Sequence, residues 1–398
     1  MRKYRKGHEQ ATIYMNAGKI NVLYICHTPT HCGGAALSLL SLIHSIADAV
    51  CPIVGFPDKG IVNDLFKSKG IECKVVPFDF TSLPELHTKS FVSLIRRFVR
   101  KLIIMNHNRH AVSMLCKIVD DYNIQIVHSN SGVFTIGAGL ARRKGIKHVW
   151  HLREFQDLDF GLKPMMGMKR FRSKVAKADA VISITDAVSQ HFGMKDKPNG
   201  HVLWDAVKSL NEVEQVSAKK KGKYFFFCSA ILCESKGVSF AIEAFAKSGL
   251  AVKGYKLVLA GETIDDVLMS KLHGDLARFD IEKSVDFIGY QSDIVPYFKE
   301  AAGFLMCSES EGLGRVTVEA MFYGCPVIAR RSGGTSEIVT DGDNGFLFDN
   351  VEECASLLRK VVSEDMSGVI QRAWDFAIEH FTEEKYGNSI KKIYNEIL

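Results

Sequence analysis

Short apolar runs alternate with amphipathic stretches from residue 20 onward, and the alternation restarts once. Residues 20–26 (INVLYIC) are uniformly apolar, as a strand buried on both faces would be. The loop HTPTHCGG and a helical pattern over 35–47 follow. Further strand runs fall at 51–56, 72–77, 125–128, 148–151 and 180–184, with helical patterns near 112–121 and 133–144. This rhythm predicts a parallel sheet covered by helices on both faces. Residues 211–223 (NEVEQVSAKKKGK) are polar and without period, which predicts a linker. A second series then predicts strands at 224–230, 256–260, 284–289, 304–307 and 326–329, and helices at 238–246, 265–277 and 297–302. A last helical pattern covers 367–398. The expected division is a first α/β domain over 1–205, a second over 206–375, and a terminal helix over 376–398 packing back on the first. Two such domains imply a cleft between them.

The richest stretch is 307–348, CSESEGLGRVTVEAMFYGCPVIARRSGGTSEIVTDGDNGFLF. Glu311 and Glu319 bracket the turn Gly312-Leu313-Gly314 and a short helix. Val316, Val318, Ala320, Met321, Phe322 and Tyr323 make that helix apolar nearly all round, so it reads as buried. A carboxylate at Glu319 then needs a partner, which is either ligand hydroxyls or a protein amide or Arg. The turn presents backbone N–H groups at the positive end of the helix dipole, where a diphosphate would sit well. Lys236 precedes Gly237 at another helix start and is a point charge for phosphate. Strand ends of one parallel sheet converge, so Lys236, Gly261-Glu262, Gly289-Tyr290 and Glu311–Gly314 border one pocket. An anionic diphosphate and a polyhydroxyl group together are what a nucleotide sugar offers. Neither G-x-G-x-x-G after the first strand nor a G-K-[ST] P-loop is present, which argues against an NAD enzyme or an ATPase.

In the first half, polar groups stand at strand ends: His27, the set His128-Ser129-Asn130, and His151-Leu152-Arg153-Glu154. Gly33-Gly34 opens the first helix, and such a pair either lets backbone approach a ligand or simply makes the turn. Asp157-Leu158-Asp159 has the form of a D-x-D metal motif but lacks further ligands at useful spacing, so no metal is expected. Ten cysteines without a C-x-x-C pair fit reduced thiols in a cytosolic protein. No apolar run reaches membrane-spanning or signal-peptide length.

Composition is ordinary, with 46% apolar and 24% charged residues, but charge is uneven. Residues 1–200 carry 29 Lys/Arg against 15 Asp/Glu, and the rest 22 against 30. A basic first half points to an anionic surface or ligand. Two stretches concentrate it. Residues 91–105 (FVSLIRRFVRKLIIM) interleave Arg96, Arg97, Arg100 and Lys101 with large apolar residues. Residues 161–177 set Met165, Met166 and Met168 among Lys163, Lys169, Arg170, Arg172, Lys174 and Lys177. Either has the composition of a basic segment lying in a membrane interface, or of a domain helix with a charged outer face.

With E-G-L-G-R-V-T-V-E-A-M at 311–321, the chain resembles the retaining GT-B glycosyltransferases of family 4, the glycosyl transferase group 1 set. Glu311 and Glu319 fall on that family's E-x7-E pair. G-C-P-V-I-A, G-G-T-S-E-I-V, D-G-D-N-G-F-L-F, V-D-F-I-G-Y, L-A-G and S-K-G-V match as well, covering most of the second half. The resemblance implies an α/β GT-B fold of two doubly wound Rossmann-like domains and a metal-independent hexosyltransferase without cofactor. It places Glu311 at the donor sugar and Glu319 at the ribose. Lys236 and the amides of Gly312–Arg315 hold the diphosphate, and the base lies beside Phe287–Tyr290. His128 belongs with Glu311 and Lys236 in the catalytic set, and Gly33, Gly34, Asn130, Arg153 and Glu154 line the acceptor side. The expected partners are a nucleotide-sugar donor, a glycan or lipid-linked acceptor for surface polysaccharide, and an anionic membrane surface, but no nucleic acid. The expected location is the cytoplasm, peripheral at the inner face of its membrane.

Three departures from the family pattern bear on mechanism. The arginine five residues before the lysine is Ile231, leaving Arg315 or Arg153 to supply its charge. The second histidine after I-V-H is Asn130, and N-G-V reads Asp205-Ala206-Val207. The missing arginine leaves room for a catalytically silent GT-B scaffold that binds a partner. A sugar-nucleotide epimerase or hydrolase on the same fold is the remaining alternative.

Overall fold

The computed structural model describes residues 18–27, 33–85, 90–216, 222–263 and 265–398. The basic lead-in with Arg2, Lys3, Arg5 and Lys6, and most of the loop after the first strand, lie outside the described residues. The chain divides into two compact units, Met1–Asp205 with Glu383–Leu398, and Ala206–Thr382.

Unit 1 opens with β1 (Ile20–Ile25), α1 (Gly34–Ser45), β2 (Val50–Phe56), α2 (Ile61–Ser68), β3 (Glu72–Val75) and β4 (Ser82–Pro84). Next come α3 (Phe91–Asp121), β5 (Ile126–Ser129), α4 (Ile136–Lys144), β6 (Lys147–Leu152) and α5 (Asp157–Phe160). It continues with β7 (Leu162–Pro164), α6 (Met168–Val175), β8 (Ala180–Ser183), α7 (Asp186–Phe192) and β9 (Gly200–Val202). The seven-stranded sheet has the order β3-β2-β1-β5-β6-β8-β9 with every pair parallel. β5 and β8 are buried along their whole length, as strands covered on both faces must be. Register partners in a parallel sheet share a face, so Ile25, Trp150 and Val181 point the same way. That face carries two neighbouring cores, one around Phe134, Leu115 and Val127, the other around Trp150, Phe171 and Phe192.

Unit 2 comprises β10 (Tyr224–Ile231), α8 (Val238–Ser248), β11 (Lys256–Glu262), α9 (Asp266–Phe279), β12 (Val285–Gly289) and α10 (Val295–Glu300). Then follow β13 (Gly303–Met306), α11 (Arg315–Phe322), β14 (Val327–Arg330), α12 (Thr335–Ile338), β15 (Phe346–Phe348), α13 (Val351–Ser363) and α14 (Ser367–Phe381). Its six strands are also all parallel, in the order β12-β11-β10-β13-β14-β15. Two parallel-sheet α/β units are therefore present, as the alternation predicts.

Three expectations are corrected. The terminal pattern over 367–398 is two helices, because the chain is extended at Thr382. The second of them, α15 (Glu383–Ile397), belongs to unit 1, so the chain returns at 383 rather than 376. It fits there because Gly387 lies against α1, where a Cβ would meet Ser45 O at 2.3 Å. The helical pattern near 112–121 is only the end of α3, which runs for 31 residues. Finally, the described part of the polar linker is docked on unit 2. Trp374 Nε1 donates to Glu214 O at 3.0 Å, Lys299 pairs with Glu214 at 2.6 Å, and Val216 packs on the core.

Candidate active site

In unit 2 the strand order reverses between β10 and β13, and in such sheets ligands sit outside the carboxyl ends of the strands at that point. The loops leaving these two strands carry Lys236 and Glu311. Their approach is close: Glu309 N donates to Ser235 O at 3.1 Å, and a Cβ on Gly237 would stand 2.2 Å from Cys307 O. Gly237 also has φ +78°, so both its space and its backbone call for glycine. Lys236 Nζ then reaches Glu311 Oε2 at 2.9 Å, with the two side chains 24% and 21% exposed.

Glu311 is braced from behind. Gly334 N donates to its carbonyl at 2.8 Å, and Gly333 (φ +48°) lies so close that a Cβ would meet Glu311 O at 2.5 Å. Ser332 Oγ donates to Ser308 O at 3.0 Å. The turn Gly312-Leu313-Gly314 is buried and leads into α11, with Gly314 as its left-handed cap at φ +81°. Beside Gly314 stand two buried hydroxyls, Thr317 Oγ1 and Thr335 Oγ1, neither with a hydrogen-bond partner. Thr317 and Thr335 escaped the sequence reading; an unmatched buried hydroxyl is visible only once the turn is folded.

The helix α11 is not apolar all round. Arg315, Val316 and Glu319 are half-buried, so one face is open. The partner that Glu319 requires is Arg315, whose Nε lies 3.1 Å from Glu319 Oε1. Burial raises the Glu319 carboxyl above its ordinary range, and the Arg315 guanidinium opposes that. Arg315 also donates to Ala206 O at 3.0 Å and Val207 O at 2.9 Å. Those bonds fix the segment that reads D-A-V and engage all three of its nitrogens.

The remaining donor-side residues flank this core. Gly261-Glu262 ends β11, the neighbour of β10, with Glu262 in register with Ile231. Gly261 (φ +153°) passes so close to Ser229 O that a Cβ would stand 2.7 Å away. Gly289-Tyr290 ends β12, one strand further out, and Tyr290 is 58% exposed.

Unit 1 holds the acceptor-side set. Asn130 lies at its own strand-order reversal, between β1 and β5, and donates through Nδ2 to Ala35 O at 3.0 Å, next to Gly33-Gly34. His128, Arg153 and Glu154 are in the interior. The expectation that His128 is catalytic is corrected, since its ring is fully buried and engaged on both nitrogens. Nδ1 is 2.8 Å from Tyr394 Oη, and Nε2 is 3.3 Å from His151 Nδ1. Arg153 Nη2 also reaches His151 Nδ1, at 3.2 Å. A guanidinium can only donate, so His151 Nδ1 accepts, His128 Nε2 carries the proton, and Tyr394 donates to His128. Arg153 is closed in by Asp205 and by Asn130 Oδ1 (2.8 Å), and Tyr386 Oη donates to Asp205 at 3.0 Å. Arg153 therefore does not supply the charge missing at Ile231, and Arg315 is engaged as described.

Glu154 accepts from Ser131 Oγ and, at 2.9 Å, from Gly132 N. Its burial pushes the carboxyl up to about 7, while the Ser131 bond opposes the shift. Asp157 of the D-x-D stretch sits in α5 and meets His191 Nε2 at 2.9 Å. Among the described residues no group of three or more His, Cys, Asp or Glu is placed to hold a metal ion, and every described cysteine is a free thiol.

Residues 210–373 match the family model described as glycosyl transferases group 1. An uncharacterized glycosyltransferase of Methanocaldococcus jannaschii is 24% identical over 358 residues, 87% of this chain and 96% of that protein. The N-acetyl-alpha-D-glucosaminyl L-malate synthase of Bacillus anthracis is 30% identical over 167 residues, 41% of this chain and 43% of that one. Among solved structures, Anabaena HepE in complex with UDP-glucose superimposes with a TM-score of 0.76 at 19% identity, covering 95% of this chain and 100% of that one. The fold shared with such structures is GT-B.

Proposed function

We propose that this chain is a glycosyltransferase of the glycosyl transferases group 1 family and transfers a sugar from a nucleotide-diphosphate donor with retention of configuration. The acceptor is a glycan or lipid-linked saccharide of a surface polysaccharide, met at the cytoplasmic side of an anionic membrane. The observation that carries this reading is the Lys236–Glu311 pair at the strand-order reversal of unit 2. The two charges neutralise each other. An arriving diphosphate competes for the Lys236 ammonium and releases the Glu311 carboxylate to the sugar hydroxyls. Glu319, held by Arg315, accepts from the ribose hydroxyls, and the turn amides ahead of α11 meet the departing diphosphate without a metal. The acceptor oxygen then bonds to the anomeric carbon on the face from which the nucleoside diphosphate departs, and the acceptor's proton passes to the departing phosphate oxygen.

Several relatives and neighbours support the reading. The Anabaena neighbour is complexed with UDP-glucose, and a Rhizobium meliloti relative is named a lipopolysaccharide core biosynthesis glycosyltransferase. The test is transfer with a panel of UDP- and GDP-sugars. Lys236→Met and Glu311→Gln are each expected to lower kcat/KM at least about a hundredfold. Wild-type rates in both would reject the site.

The engagement of Arg315 and Arg153, with Ile231 at the clamp position, favours one competing reading, a silent scaffold on the same fold. Calorimetry decides between them, since a scaffold binds none of the nucleotide sugars that the enzyme binds.

A further inference from the structure

The two basic stretches part ways in the folded chain. In α6 the apolar side chains Phe171 and Val175 point inward and the cations outward, which is an ordinary domain helix. The first half of α3 does the reverse. Nine large apolar residues between Phe91 and Met105 are exposed, Phe91 by 77%, Phe98 by 62% and Ile103 by 61%. The buried stripe of α3 starts only at Ile104 and runs through Asn108, Ala111, Leu115 and Val119. Residues 91–103 therefore extend about 20 Å along the helix axis without a buried side chain. Ser90 caps this end by accepting from Ser93 N, and Arg97 Nη1 ties it to Pro84 O at 2.7 Å.

At about 100° per residue, the nine apolar side chains occupy one continuous half of the circumference. Arg96 lines one edge of that half and Lys101 the other, while Arg97 and Arg100 lie on the far side. No acidic residue occurs between Phe91 and Val119. A contiguous apolar face of this size on a water-soluble surface calls for an occupant. An apolar half flanked by cations is the arrangement of a helix lying in the plane of a membrane interface. We infer that the first turns of α3 dock flat on an anionic lipid bilayer, with Phe91, Phe98 and Leu102 in the acyl boundary and Arg96 and Lys101 at the phosphates.

Charge selects this occupant over the alternatives. A second copy would set like-charged edges beside one another, and the undescribed residues 1–17 carry Arg2, Lys3, Arg5 and Lys6, again the same sign. Docking serves the glycosyltransferase reading, on which it rests, by holding the protein where lipid-linked acceptors reside. No described helix is long and apolar enough to cross a membrane, so the contact is interfacial.

The test is co-sedimentation of the full chain with phosphatidylcholine vesicles, with and without phosphatidylglycerol, at low and high salt. Wild type is expected to pellet with the anionic vesicles and to be released by salt. Phe91→Ser with Phe98→Ser weakens binding about tenfold or more, and Arg96→Gln with Lys101→Gln does the same on anionic vesicles alone. None of the four positions is buried, and circular dichroism confirms folding. Lys169→Gln with Arg170→Gln in α6 leaves binding unchanged. The inference is overturned if wild type pellets with neither vesicle at low salt, or if both α3 variants bind like wild type. It is equally overturned if wild type sediments without lipid as a dimer that the Phe variant dissolves. Donor binding measured without vesicles keeps the two readings apart. Donor binding without vesicle binding removes only the docking, and vesicle binding without donor binding removes only the transferase.

Discussion

At Gly237 the backbone of one loop passes within van der Waals range of another, and the lysine beside it has its position because of that passage. Adding one methyl puts a carbon 2.2 Å from Cys307 O at a backbone angle that side chains rarely adopt. Gly237→Ala is expected to cost unit 2 about 1–3 kcal/mol, read by urea denaturation, and to weaken donor binding by displacing Lys236. Arg315 has a comparable dual effect, since it neutralises Glu319 and holds Ala206 and Val207. Arg315→Lys keeps the charge but loses the fork, so donor KM rises while the protein stays folded. In unit 1, Tyr394→Phe removes the hydroxyl that His128 Nδ1 accepts from and strands a buried nitrogen. The expected loss is about 1–3 kcal/mol, followed through the fluorescence of the buried Trp150.

Among elements, the strands were legible because parallel strands covered on both faces are continuous apolar runs. Their predicted limits agree with the observed ones to within two residues. Helix α11 was legible as a position but not as a surface. Sequence periodicity shows where Val316 and Glu319 project, not that this side of the helix is left open. Short elements lacked a signal: β9 and β15 have three residues each, and β4 pairs with β7 across a separation that no local pattern reveals. His128 misled because a polar residue at a strand end looks the same whether it faces solvent or a tyrosine more than two hundred residues away. The exposed half of α3 is the converse case. Its apolar residues resemble core in sequence, and only the fold shows that nothing covers them.

For the molecule as a whole, pH acts on unit 1 from two directions. His27, His128, His148 and His151 are held below the ordinary histidine value of 6.5 by burial first, His27 and His148 at about 4. Their contribution is present above 6.5 and is lost as pH falls toward 4, because the unfolded chain takes up protons that the folded one refuses. Glu154, pushed up to about 7, works oppositely: its contribution is full below the ordinary carboxylate value and is lost as pH rises through 7. Denaturation midpoints should therefore fall below pH 6, and Glu154→Gln should stabilise at pH 8 but not at pH 5. The discontinuity of unit 1 also has a consequence for synthesis. Residues 206–382 emerge from the ribosome as one uninterrupted run, and unit 2 can close as soon as they are out. The sheet of unit 1 is made first, yet its groove along α1 and the ring of His128 stay uncovered until Gly387 and Tyr394 arrive. A chain ended at Thr382 and released should thus resist protease in unit 2 and be cut in unit 1, so the earlier-made half is the later to finish.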